Sequence, residues 1–175
     1  MNYFIYDGCS MIILGIDPGY AIVGWGILDY NGVNFKTLAY GAINTQAGVD
    51  FPIRLAHIYD SLSLIISKYK PDCAAIEKLF FQNNQKTAID VGQARGVIVL
   101  AVQKAGLEVF EYTPLQVKQS VVGYGRAEKN QVMEMTRAIL KLKEVPKPDD
   151  TADALAIAIC HGHTNGSLYT KIKKG

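Results

Sequence analysis

MIILGIDPGYAIVGWGILDYNGVNFKTLAYGAI, residues Met11 to Ile43, is the stretch that decides the fold class. Met11 to Ile16 is an unbroken apolar run closed by Asp17, the pattern of a strand buried on both faces. Ala21 to Tyr30 reads as a second strand. Asn31-Gly32 is the signal of a two-residue type I′ hairpin leading into a third, Val33 to Ile43. Three strands in succession therefore open the domain.

Outward from there the periodicity changes. Leu55, Ile58, Tyr59, Leu62, Ile65 and Ile66 recur at helical spacing across Phe51 to Tyr69, with Pro52 suited to a first turn and Pro71 ending the helix. Cys73 to Ile76 is a second fully apolar run, closed by Glu77. A polar loop, Gln82 to Gln85, precedes a helix rich in Ala, Val and Gly that ends near Ala105, and Glu108 to Tyr112 reads as a fifth strand. Asn130 to Leu142 and Asp150 to His161 read as helices around the connection bearing Pro146 and Pro148. This order predicts an α/β fold in which helices cover a five-stranded sheet. Residues 11–163 form one domain in this reading; residues 1–10 are an N-terminal extension outside the core, and residues 164–175 a short, basic tail expected to be mobile.

Composition narrows the class. With 175 residues, 49% of them hydrophobic, the chain suffices for one core and is short for two. Cys9, Cys73 and Cys160 are odd in number and scattered, which argues against a disulfide framework or a cysteine-rich zinc site. No apolar stretch reaches the roughly 18–20 residues of a membrane span, and Met1 to Ser10 lacks a basic leader pattern. A cytoplasmic protein without a membrane anchor is expected.

Function is concentrated in acids placed where acids are costly. A carboxylate ending a buried strand must be hydrogen-bonded, paired or bound to a cation, and both apolar runs end in one, Asp17 and Glu77. Asp150 and Asp153, three apart at the start of the apolar segment Ala152 to Cys160, share one helical face. Four hard oxygen donors from distant parts of one domain suit magnesium or manganese. Each acid also has an ordinary use. Asp17 can cap a turn with Pro18 and Gly19, and Glu77 can pair with Lys78 or a distant arginine. Asp150 in a first helical turn is favoured by about 0.3–1 kcal/mol through the macrodipole. The set of four favours the metal.

The net charge of +2 hides a late accumulation of cations: Lys118, Arg126, Lys129, Arg137, Lys141, Lys143, Lys147, Lys171, Lys173 and Lys174. A basic rim around an acidic metal cluster suits a phosphodiester substrate. Lys141, Lys143 and Lys147 also fit a plain solvated helix face. The segment Thr87 to Val102 carries small or apolar residues on more than one face; a second face needs a partner, as in a two-fold dimer, the alternative being a central helix wholly buried within the monomer.

The motifs GIDPG (Gly15–Gly19), AIE (Ala75–Glu77), GQARG (Gly92–Gly96), QVKQSVVGYGRAEK (Gln116–Lys129) and DTADALAIA (Asp150–Ala158) occur in the order seen in the RuvC family of Holliday junction resolvases, which the chain resembles from Met11 to His163. The resemblance implies a ribonuclease H-like fold with a five-stranded mixed sheet flanked by helices, and a homodimer. It also implies magnesium-dependent cutting of four-way junction DNA by paired symmetrical nicks, in recombination and repair, with RuvA and RuvB as branch-migration partners. By match to the motifs, Asp17, Glu77, Asp150 and Asp153 are the catalytic, metal-holding carboxylates; some members carry histidine at the position of Asp150. Two Mg2+ ions, roughly 3.5–4 Å apart, would activate water and stabilise the leaving oxygen, with Mn2+ as a substitute. The expected products carry 5′-phosphates.

Lys118 and Lys129 match basic residues used near the scissile strand, in catalysis or positioning. Phe80 matches a residue that stacks on an unpaired base, with Phe81 competing for the role. Arg95 and Arg126 are expected phosphate contacts, and Tyr124 a loop contact without assigned chemistry. Tyr20 departs from the small residue usual after Asp-Pro-Gly. His161 and His163 read as surface or helix-end histidines rather than metal ligands. The rival readings are an RNA-processing nuclease of the YqgF type, sharing the carboxylates but not the Gln-Val-Lys segment, and a non-catalytic junction-binding protein. A sugar kinase of the actin type would need a second domain.

Overall fold

In the computed structural model, which describes residues 10–79 and 85–172, the opening segment forms β1 (Met11–Asp17), β2 (Ile22–Tyr30) and β3 (Phe35–Asn44), joined as an antiparallel meander. On its other side β1 pairs in parallel with β4 (Cys73–Glu77), and β4 in parallel with β5 (Glu108–Tyr112). The mixed sheet has the order β3-β2-β1-β4-β5. Parallel neighbours need long crossovers, supplied by α1 (Phe51–Tyr69) before β4 and α2 (Gln85–Lys104) before β5.

Strand parity divides the core in two. Leu14, Ile16, Ala74 and Ile76 pack with Ile58, Leu62 and Ile98 of α1 and α2. Ile13, Cys73 and Ala75 pack with α3 (Pro114–Val122), α4 (Lys129–Ile139) and α5 (Asp149–Ile172). Burial on both faces is why β1 and β4 show no polar alternation. It also places Asp17, two residues along from Gly15 and four from Ile13, on the α5 face, together with Glu77, which has the parity of Cys73 and Ala75.

Glycine lets α5 lie directly on the strands. A Cβ at Gly15 would sit 2.1 Å from the Ala154 carbonyl oxygen, and one at Gly24 would sit 1.9 Å from that of Asp150. Either is far inside van der Waals contact, so these positions admit no side chain without moving the helix.

The turn after β2 differs from the type I′ hairpin that Asn31-Gly32 predicts. Tyr30 pairs with Phe35, leaving four residues in the connection, and Gly32 takes a positive φ of 92° while Asn31 does not. Instead Asn31 Oδ1 accepts hydrogen bonds from the Val33 and Asn34 amides at 3.1 and 2.8 Å. The side chain closes the loop as an Asx turn.

Periodicity does not announce helix α3, because nine residues show too few turns of pattern. Its signal was Thr-Pro-x-Gln. Thr113 Oγ1 accepts from the Gln116 amide at 3.1 Å, Gln116 Oε1 accepts from the Thr113 amide at 2.8 Å, and Pro114 fills the first turn. Two further expectations are corrected. Lys141, Lys143 and Lys147 lie beyond the end of α4, not on a helix face; with Tyr40 they line a groove of about 830 Å³. The backbone of α5 continues as helix to Ile172, taking in much of the tail.

His161 is likewise no surface residue. It is 1% exposed, with Nδ1 bonded to Tyr112 Oη at 2.8 Å and Nε2 3.2 Å from Cys73 Sγ. Burial lowers its pKa from 6.5 to about 4. Between those values the unfolded chain binds the proton and the folded one does not, so stability falls as pH falls through that window. Unfolding free energy should drop by about 2 kcal/mol more between pH 7 and pH 5 in wild type than in His161→Asn, measured by urea titration. Parallel losses in both proteins would contradict this. Cys73 and Cys160 are free and buried, whereas Cys9 lies outside the described residues. No helix among the described residues is long and apolar enough to cross a membrane.

Candidate active site

The site forms where the carboxyl ends of two parallel strands meet the first turns of two helices. Ile16 and Ile76 are register partners, so Asp17 and Glu77 follow side by side at the ends of β1 and β4. α5 begins over them because Gly24 brings the Asp150 backbone onto β2 opposite Asp17, its register partner. That contact carries Asp150 and Asp153 to the same end of the sheet.

Glu77, Lys118, Lys129 and Asp153 line one cleft of about 240 Å³, floored by Val117, Val132 and Ile157 and edged by Pro114. Electrostatics ties Asp17 and Asp150 to it. Burial, then the charges of Glu77, Asp153 and Asp150, push the Asp17 carboxyl up to about 8, against the opposing pull of Lys129. Burial and Asp153 raise Glu77. Burial raises Asp153 as well, although its contact with Lys129 works the other way. Thus the four acids predicted from sequence act on one another, and Asp150 serves both readings, standing in a first helical turn and adding its charge to the cluster.

Lys129 Nζ lies 3.1 Å from Asp153 Oδ2 and 3.4 Å from Asp149 Oδ2. Burial alone would lower its pKa, but these contacts outweigh burial and raise it. Asp149 is the site residue that the sequence reading missed. Its signal was an extra acid beside Asp150 in the first turn of α5.

Other expected contacts lie elsewhere. Arg95 is ion-paired with Glu111 of β5, on the α1 and α2 side of the sheet. Arg126 is exposed between α3 and α4, near exposed Tyr124. Tyr20 turns toward α1, packing edge-on against Phe51 with the Arg54 guanidinium 5.1 Å from its ring centre. Phe80 and Phe81 lie outside the described residues.

Among the described residues no three His, Cys, Asp or Glu side chains converge closely enough to clasp one ion as they stand. The donor set nonetheless fits a hard divalent cation. It consists wholly of carboxylate oxygens, and the burial and neighbouring negative charges that together push Asp17 up to about 8 are what a bound cation would offset.

Residues 13–161 match the family described as crossover junction endodeoxyribonuclease RuvC. The chain belongs to the RuvC family. The crossover junction endodeoxyribonuclease RuvC of Ruminiclostridium cellulolyticum is 59% identical over 160 residues, covering 90% of this chain and 96% of that one. The RuvC structure of Thermus thermophilus superposes with a TM-score of 0.83 at 34% identity, over 91% of this chain and 98% of its own. The same RuvC in complex with a Holliday junction substrate gives 0.82 at 32%, with the same coverage. These matches bear out the ribonuclease H-like architecture. The RuvC match also spans all four carboxylates and both cleft lysines.

Proposed function

We propose that this protein resolves four-way DNA junctions by hydrolysing phosphodiesters in two opposed strands, in recombination and repair. The observation that carries the reading is the meeting of Asp17, Glu77, Asp150 and Asp153 with Lys118 and Lys129 at one end of a RuvC-family sheet. The relative of the same fold in complex with a junction supports it. Asp17, Glu77, Asp150 and Asp153 would hold divalent cations, two Mg2+ with Mn2+ as a substitute, which when bound supply an activated water and neutralise charge at the phosphate. Lys118, which lines the same cleft from α3, would offer its ammonium to a non-bridging phosphate oxygen, positioning the scissile group and offsetting its growing charge. Exposed Arg126 would hold a flanking phosphate. Arg95, already paired, would have to leave Glu111 to do so. The apolar floor of Val117, Val132 and Ile157 limits water around the ions. The products carry 5′-phosphates at ligatable nicks.

The test sets a four-way junction, linear duplex and structured RNA before the enzyme with magnesium. Cutting of the junction alone is expected. Cutting of RNA with the junction intact would overturn the reading in favour of an RNA-processing nuclease.

Paired nicks need paired sites, and a homodimer provides them. Ile89 and Leu100 of α2 are 68% and 53% exposed and lie on one stripe with Gly92 and Gly96, where a Cβ would meet nothing within 4 Å. Light scattering at micromolar concentration should give a dimer, and Ile89→Asp with Leu100→Asp a folded monomer that nicks without pairing. A monomeric wild type would sink the dimer. RuvA and RuvB as partners, and a cytoplasmic location beside the chromosome, belong to the same proposal.

A further inference from the structure

Lys129 opens α4, and a cation at a helix N-terminus faces the positive end of the macrodipole. What holds it there is the acidic first turn of α5. Its ammonium bridges Asp153, a member of the cluster, and Asp149, which is not. Lys129 also opposes the upward shifts of Asp17 and Glu77, so it serves the whole cluster as a counter-charge. Lys118 lines the same cleft without such a bridge to a described carboxylate.

We infer that Lys129 is a built-in competitor of the metal: its ammonium occupies Asp153, a divalent ion entering the cluster must displace it, and the displaced lysine becomes available to a DNA phosphate. Asp149 is the positioning residue that holds the lysine at the mouth of the cleft. The inference rests on the function proposed above and adds an order to it, cation first and phosphate contact second. Lys129 and Asp149 are both more than half exposed, so their half of the bridge is weak and exchange is easy.

Manganese binding without DNA, followed by electron paramagnetic resonance of the free ion, tests the competition. Lys129→Met should bind Mn2+ about fivefold more tightly than wild type, the value of losing one partly exposed ion pair. Lys129→Arg should stay within about twofold, since it keeps the competing charge. Lys118→Met removes an equal charge from the same cleft and should gain less than about twofold. Equal gains for Lys118→Met and Lys129→Met would reduce the effect to through-space repulsion and overturn the inference, as would no gain for Lys129→Met with its melting curve unchanged. A failure of every protein to bind Mn2+ would instead defeat the metal reading beneath it.

The hand-over has its own measurement. In calcium, the slope of log junction affinity against log salt should fall by about one for Lys129→Met, whereas in EDTA it should not change. A loss of slope in both conditions would show that the lysine contacts phosphate whether or not a cation has displaced it.

Discussion

Asp17→Asn is expected to bind a four-way junction as wild type does and to cut it at least about 100-fold more slowly. That floor stands at the top of the roughly 10–100-fold range typical of a group one step removed from a metal ligand. Asp17 is the acid most crowded by the others, feeling Glu77, Asp153 and Asp150 together. Asparagine keeps the shape and one oxygen but lacks the charge that balances a cation. Because burial and the neighbouring acids disfavour ionised Asp17 in the folded protein but not in the unfolded one, replacing it should also raise the melting temperature of the metal-free protein at neutral pH. Loss of cutting accompanied by a gain in stability excludes misfolding as the cause. An Asp17→Asn protein that cuts within tenfold of wild type would remove Asp17 from the chemistry.

Gly24→Ala is expected to lose cutting although it replaces no site residue. Its Cβ would stand 1.9 Å from the Asp150 carbonyl oxygen and 2.3 Å from the carbonyl carbon, both backbone atoms that cannot rotate away. Either β2 or the start of α5 must shift, and overpacking of this kind costs about 2–3 kcal/mol. The shift acts where Asp150 and Asp153 are aimed, so activity should fall further than stability alone requires. Trp25, the single tryptophan, adjoins Gly24 and reports the change by fluorescence while urea titration gives the stability. A Gly24→Ala protein as stable and active as wild type would show that α5 is not held by this contact.

How far the site was legible depended on what each residue's position is determined by. Asp17 and Glu77 could be read because each ends an apolar run, and a charge at the end of a buried strand demands a partner whatever the tertiary detail. Their shared face follows from strand parity alone. Asp150 and Asp153 were legible through helical spacing. The Lys129 bridge to Asp149 was not, since it depends on two helix starts meeting in space, and neither periodicity nor charge count carries that information. The same holds for Arg95, whose partner Glu111 lies on the strand that follows its own helix. His161 misled because a histidine near the end of a recognised apolar segment looks terminal, whereas α5 runs on for eleven residues beyond it. At the Asn31-Gly32 turn the right residues were recognised but the wrong chemistry was assigned, because an Asn side chain can close a loop by accepting hydrogen bonds as readily as its backbone can adopt a positive φ.

The central claim is that one carboxylate cluster, present twice in a dimer, cuts a junction symmetrically. The most direct measurement maps the cuts on a mobile four-way junction labelled at each 5′ end in turn, with magnesium, and then asks whether ligase seals the products. The account predicts nicks at matching positions in two opposed strands, sealed without further processing, and no cutting of linear duplex. Binding of the junction without nicks in either magnesium or manganese, or nicks scattered over all four arms, would contradict it.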